Sequence, residues 1–316
     1  MDYHIYFHGG CFDGTMSAAL LRHFFISRGD RVASLNSCQY QPDFASIWSA
    51  YPFQHPSAIV DFRYHPDGDW WFDHHLTSFL KPEWQTSFNA DGQHYFDPNY
   101  PSCFGMTLNF LKKTYQYKPS ATLQELEVWA DKIDGARYVS AKEAIEIDSW
   151  PQELALLLMH YDKIDPDGQE AFQLKVIDSV ADESILQLLI NHREMIDKLK
   201  ERLRRAVELY KQAVKVGGKV AFLNKIDLEI FNADFIGYYL FPDVPYTVSI
   251  DKVEGGYHLH AGRNPWAKYN AQLNIGEMMK KYGGGGHLAV GGAEVVDLDQ
   301  ALKRIEEIVD YLNKHG

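Results

Sequence analysis

The chain reads as an α/β protein: an N-terminal parallel-sheet domain with flanking helices, a long linker helix, and a smaller α/β C-terminal domain. Three observations predict this. Short apolar runs alternate with helical patterns from residue 3 to about 130, as right-handed crossovers between parallel strands require. Residues 182–214 contain neither glycine nor proline and are rich in Leu, Ile, Lys, Arg and Glu, which predicts one long amphipathic helix. After Gly217-Gly218 the composition changes to short β-like runs and glycine-rich turns. The expected boundaries are 1–190 for the first domain, 191–216 for the linker helix and 217–316 for the second domain.

Each element has a local cause. Residues 3–7 form an apolar run that suits a strand. Residues 14–28 carry Ala18, Ala19, Leu20, Leu21, Phe24 and Phe25 at helical spacing and close on Gly29. Residues 58–60 and 70–72 are buried-strand candidates, with Trp70 and Trp71 in the core. Residues 102–117 predict a helix that ends before Pro119. Thr122 with Glu125 predicts the capping box of a third helix, whose far end carries Asp131 and Asp134 on one side. The basic residues within 198–205 read as a solvated helix face. In the C-terminal part, runs at 219–223, 246–250 and 257–261 read as strands. His258 and His260 share one strand face there and read as surface or packing residues.

Composition narrows the partners. With 316 residues, 46% hydrophobic and 23% charged, the chain can bury a full core in two domains. A formal net charge of −12 argues against binding long duplex nucleic acid, which depends on clustered Lys and Arg. Cys11, Cys38 and Cys103 are scattered, as in a reducing compartment. The polar start lacks a basic region followed by an apolar stretch, and no run of about 18 apolar residues occurs. A cytoplasmic protein without a membrane partner is expected, with a homodimer left open.

The chemistry gathers at strand ends. Asp73-His74-His75 follows Trp70-Trp71-Phe72, Asp61 follows Ile59-Val60, and His8 follows Ile5-Tyr6-Phe7. Carboxylate and imidazole together suit a divalent cation of intermediate hardness, and open sheets place such groups beyond their strand ends. A buried, unpaired Asp61 would be costly unless it binds a cation, forms a salt bridge or caps a helix. In a neutral reading of the first motif, Asp13 is a plain N-cap. Asp131, with Asp134 as its substitute, completes the candidate set. Two cations sharing a bridging carboxylate would activate water and neutralise phosphate oxygens, which is phosphoester or phosphoanhydride hydrolysis. Gly283-Gly284-Gly285-Gly286-His287 and Arg263-Asn264 form a second candidate site. A glycine run brings backbone N–H groups close to an anion, although a flexible turn would account for it equally. Trp266 and Tyr269 could stack on a base.

In this order, His8 with Asp13-Gly14, Val60-Asp61, Asp73-His74-His75, Trp129-Ala130-Asp131, Arg263 and the Gly283–His287 run resemble the DHH phosphoesterase superfamily with its DHH-associated C-terminal domain. Among its members they look most like the nanoRNase, pAp-phosphatase and exopolyphosphatase-related type. The resemblance implies two Mn(2+) ions, with Mg(2+) or Co(2+) as substitutes. Asp61 would bridge them. Asp13, His74 and Asp131 would complete one metal site, and His8 would serve the other. His75 would face the scissile phosphate, giving Asp61 and His75 the catalytic roles. Arg263, Asn264, Gly284, Gly285, Gly286 and His287 would bind substrate. The first motif departs from the family pattern: of two aspartates only Asp13 is present, and Cys11 stands in the place of the other. Asn264 replaces a family serine.

The implied function is a manganese-dependent phosphohydrolase that cleaves short oligoribonucleotides or pAp. Alternatives are an exopolyphosphatase or cyclic-dinucleotide phosphodiesterase, and a non-catalytic nucleotide-binding or sensory module.

Overall fold

Five apolar segments pair in parallel to form the first sheet. They are β1 (Asp2–His8), β2 (Arg31–Cys38), β3 (Ser57–Val60), β4 (Trp70–Asp73) and β5 (His94–Phe96), in the order β2-β1-β3-β4-β5. This computed structural model describes residues 1–316 except 42, 229–230, 232–233 and 268–272. β3 and β4 are buried on both faces, which is why they read as continuous apolar runs. The strand order reverses direction between β1 and β3, so the crevice beyond their carboxyl ends is where an open sheet receives a ligand.

The helices that follow these strands are α1 (Phe12–Ser27), α2 (Phe44–Ser49), α3 (Pro82–Ser87), α4 (Cys103–Tyr115) and α5 (Ala121–Ile133). α5 begins earlier than the sequence suggests. Ser120 is its N-cap, accepting from the Leu123 N–H at 3.3 Å, so Thr122 and Glu125 lie inside the first turns and do not form the capping box. Next come α6 (Ala141–Ile145), α7 (Trp150–His160), α8 (Gln169–Ala181), α9 (Ile185–Asn191) and α10 (Arg193–Ala213). The helix expected over 182–214 is therefore broken. The break falls at His192, where the ring Nδ1 lies 2.8 Å from the Leu188 carbonyl oxygen and competes with the backbone ladder. Asn191 and His192 are also weak helix formers.

The chain divides into two compact units, Met1–Arg137 with Asp148–Leu199, and Tyr138–Ile147 with Lys200–Gly316. The second holds a mixed sheet of β6 (Lys215–Gly217), β7 (Val220–Asn224), β8 (Tyr246–Val253), β9 (Gly256–Arg263), β10 (Gly285–Gly286) and β11 (Val290–Val295). Their order is β10-β11-β9-β8-β7-β6, and only β7 and β8 run parallel. Besides α6 and the later part of α10, this unit holds α11 (Ile236–Leu240), α12 (Ile275–Lys280) and α13 (Leu298–His315). Ala301, Ile305, Ile308 and Leu312 recur at helical spacing on α13 and pack with Val248, Ile250, Leu259 and Ala261 of the sheet. No described helix is long and apolar enough to cross a membrane.

Candidate metal centre

The carboxyl ends of β1, β3 and β4 bring His8, Asp61 and Asp73 to one edge of the first sheet. Cys11 closes the β1–α1 turn as the N-cap of α1, its sulfur accepting from the Gly14 N–H at 3.2 Å. Gly14 admits no side chain, because a Cβ there would lie 2.2 Å from the His8 carbonyl oxygen. Asp61 follows β3 with φ at 55°, a left-handed conformation uncommon for any residue but glycine. Strain of this kind persists where the surrounding structure over-determines it, often at functional sites. Asp13 is not the N-cap. Its two oxygens accept from the backbone N–H groups of Cys103 at 2.6 Å and Phe104 at 2.9 Å, at the start of α4. A carboxylate at a helix N-terminus is favoured there by the helix dipole.

Asp61 is 2% exposed and faces two groups of neighbours. Its Oδ2 lies 3.4 Å from Cys11 Sγ and 3.6 Å from His8 Nδ1, and those two atoms are 3.3 Å apart. Its Oδ1 lies 3.7 Å from His75 Nδ1 and 3.9 Å from His74 Nε2. His74 Nε2 is also 3.8 Å from Asp13 Oδ2 and 3.3 Å from Asp134 Oδ2. Donor atoms therefore gather in three overlapping sets: His8, Cys11 and Asp61; Asp61, Asp73, His74 and His75; and Asp13, His74 and Asp134. Asp61 Oδ1 and His74 Nε2 are buried without a hydrogen-bond partner. Two orphaned lone-pair atoms aimed at one space fit a cation between them.

The surrounding hydrogen bonds hold the imidazoles in place. His74 Nδ1 sits 3.0 Å from the Tyr100 carbonyl oxygen, which leaves Nε2 free to point inward. Asp73 lies beneath the pair: its Oδ1 accepts from the His74 N–H at 2.8 Å and is 2.7 Å from His75 Nδ1, while Oδ2 accepts from Ser78 Oγ. The electrostatics are those of a crowded acidic pocket. Burial, then the Asp61 and Asp134 charges, push the Asp13 carboxyl well above its usual range. Burial also raises Asp61, against the hydrogen bond from His8. Burial alone would depress His74, but Asp134 and Asp13 outweigh it and bring its pKa up to about 10.

Of the residues read from sequence, the structure brings together His8, Asp13, Asp61, His74 and His75. His74 and His75 do not diverge. The strand ends at Asp73, and the two rings lie 4.4 Å apart, both facing Asp61. Asp131 stands outside the three sets among the described residues. Its Oδ1 accepts from Ser102 Oγ at 2.6 Å, and Asp134 joins the centre in its place. Asp73, read from sequence as part of the Asp73-His74-His75 motif without an assigned ligand position, falls in the second set.

In the second unit, Arg263 at the end of β9 and His287 after β10 lie at the same end of the ladder. The Arg263 N–H donates to the Ala289 carbonyl and the His287 N–H to the Val290 carbonyl. Asn264 is buried and engaged internally: Nδ2 donates to the carbonyls of Pro242 and Val244, and Oδ1 accepts from the Trp266 N–H. Gly284 and Gly286 are required by close packing, since a Cβ would lie 1.9 Å from Gly292 O and 2.3 Å from Val290 O respectively. A Cβ at Gly285 would meet nothing within 4 Å. Tyr269 lies outside the described residues.

Comparison with protein-family models and with curated protein sequences finds no match. Among solved structures, a pGpG-specific phosphodiesterase, PggH from Vibrio cholerae, aligns over 100% of both chains with a TM-score of 0.76 and 20% identity. An exopolyphosphatase-related protein from Bacteroides fragilis aligns over 98% of this chain and 92% of its own, with a TM-score of 0.50 and 14% identity. RecJ from Thermus thermophilus, in complex with Mn2+, aligns over 100% of this chain and 52% of its own, with a TM-score of 0.52 and 13% identity. At such identities the likeness is one of fold alone.

Proposed function

We propose that the protein is a divalent-metal-dependent phosphohydrolase acting on short phosphorylated nucleotides. The observation that carries this reading is the pair of orphaned buried atoms, Asp61 Oδ1 and His74 Nε2, at a strand-end crevice surrounded by further carboxylates and imidazoles. Asp61, Asp13, His74 and Asp134 would hold one cation, and Asp61, His8 and Cys11 a second. When bound, such ions supply a nucleophile from water near neutral pH and neutralise charge on phosphate oxygens. Asp61 divides its two oxygens between the sites. Asp73 orients His75, whose ring is 46% exposed and free on its Nε2 side to meet a scissile phosphate. Arg263 and His287 would take a second phosphate of the substrate, and Trp266 a base.

The full-length likeness to a pGpG-specific enzyme favours a linear dinucleotide over polyphosphate or a cyclic dinucleotide. Manganese is the expected ion, because mixed oxygen and nitrogen donors suit it better than magnesium. A manganese-supplemented turnover screen across pGpG, other dinucleotides, pAp, cyclic dinucleotides and polyphosphate tests the reading. Turnover of linear dinucleotides above the rest is expected. A protein that binds nucleotides yet hydrolyses neither these nor bis-p-nitrophenyl phosphate would instead be a sensory module.

A further inference from the structure

The two halves of the centre differ in chemistry. On one side Asp61 Oδ1 faces imidazole and carboxylate donors, with His74 Nε2 at 3.9 Å and Asp13 and Asp134 around that nitrogen. On the other, Asp61 Oδ2 faces a thiol and an imidazole: Cys11 Sγ at 3.4 Å, His8 Nδ1 at 3.6 Å, and 3.3 Å between the latter two. The sulfur's bond from Gly14 N–H uses only part of its acceptor capacity. Cys38 and Cys103 are buried and belong to none of the three donor sets.

We infer that Cys11 is a metal ligand and that the centre is chemically asymmetric, with a thiolate–imidazole–carboxylate site selecting zinc, cobalt or ferrous iron beside an oxygen–nitrogen site suited to manganese. Thiolate donors favour softer ions, whereas carboxylate-rich sets favour harder ones. Asp61 serves both by presenting a different oxygen to each. On coordination the Cys11 sulfur exchanges its proton for the metal–sulfur bond, and the proton leaves to solvent. The protein would then need two different ions for full loading. The inference rests on the metal-dependent reading above and adds the identity of one ligand and the class of ion it prefers.

Cobalt(II) is the probe, read by absorption without substrate, so the result is independent of whether the protein hydrolyses anything. Wild-type protein titrated with cobalt should develop near-ultraviolet thiolate-to-cobalt charge-transfer absorption. Cys11→Ser should lose the band and bind zinc at least about tenfold more weakly at this site, while the second site still takes manganese. Serine is itself a good N-cap, so α1 should keep its start. Cys11→Asp, another capping residue, should also lose the band but gain manganese at the expense of zinc. A wild-type spectrum without the band, or one unchanged in both variants, overturns the inference and leaves Cys11 as a helix cap. Phosphodiesterase turnover in a protein without the band would sustain the proposed function and sink the thiolate ligand alone.

Discussion

The end of the first sheet and the glycine-rich end of the second both carry residue types that bind phosphates or cations, yet they differ in what their polar groups already do. In the first unit Asp61 Oδ1 and His74 Nε2 are buried and unbonded, and Asp61 takes a strained backbone to be there. In the second, Asn264 is fully engaged by Pro242, Val244 and Trp266, and Gly284 and Gly286 are demanded by neighbouring backbone. A site announces itself through unmet requirements. Residues whose type is explained by the fold around them say much less about ligands.

The sharpest way to break this contrast is at Asp61. Asp61→Ala should lower turnover at least about 10³-fold, the scale of losing a principal electrostatic element, and metal titration should show both sites weakened. Asp134→Asn should cost more metal affinity than Asp131→Asn. More than a tenth of wild-type turnover remaining in Asp61→Ala would remove its bridging role.

Next comes the second unit. Arg263→Ala and His287→Ala should each lower kcat/KM on a dinucleotide by about tenfold or more while leaving metal content unchanged. Turnover of bis-p-nitrophenyl phosphate should stay within about threefold of wild type. Equal losses on large and small substrates would show that these residues act at the reaction centre or in stability.

Asn264 should behave in the opposite way. Asn264→Ala leaves two carbonyls and one N–H short of partners, and it should lower unfolding free energy by about 2 kcal/mol in denaturant melts with the metal sites intact. A loss of substrate affinity without loss of stability would return Asn264 to the binding site.

The smallest effect expected is at His65, a buried histidine of the first unit away from the centre. Its Nδ1 accepts from the Asp67 N–H at 3.1 Å, and burial lowers its pKa below 6.5. The folded protein keeps the ring neutral, so below about pH 6.5 the unfolded chain takes up the proton first. Stability should then fall with falling pH by at most about 1.4 kcal/mol per unit, and the His65→Asn curve should be flatter by that amount. Parallel curves would show that the fold leaves the His65 ring unshifted.

Much of this was legible in the sequence because strands buried on both faces are continuous apolar runs, and a ligand residue just beyond each is conspicuous. His8, Asp61 and Asp73-His74-His75 stand out that way, and the fold brings them together. That Asp134 rather than Asp131 lies beside His74 was not legible: both are placed by the end of α5, and what separates them is Ser102 Oγ, 29 residues away in sequence, which bonds Asp131. The break at His192 was equally hidden, because a side chain bonding its own helix leaves the hydrophobic pattern untouched. Nor does spacing tell that Asn264 is spent on carbonyls some 20 residues earlier.

The bonds that Asp13 accepts from Cys103 and Phe104 reach beyond geometry. A carboxylate steadied from behind by backbone does not depend on a cation to find its orientation, so the cradle exists before its occupant arrives. Proteins whose ligands are scattered until the ion gathers them unfold when it is stripped away. Here a chelator should leave an empty but standing vessel, refilled within one encounter.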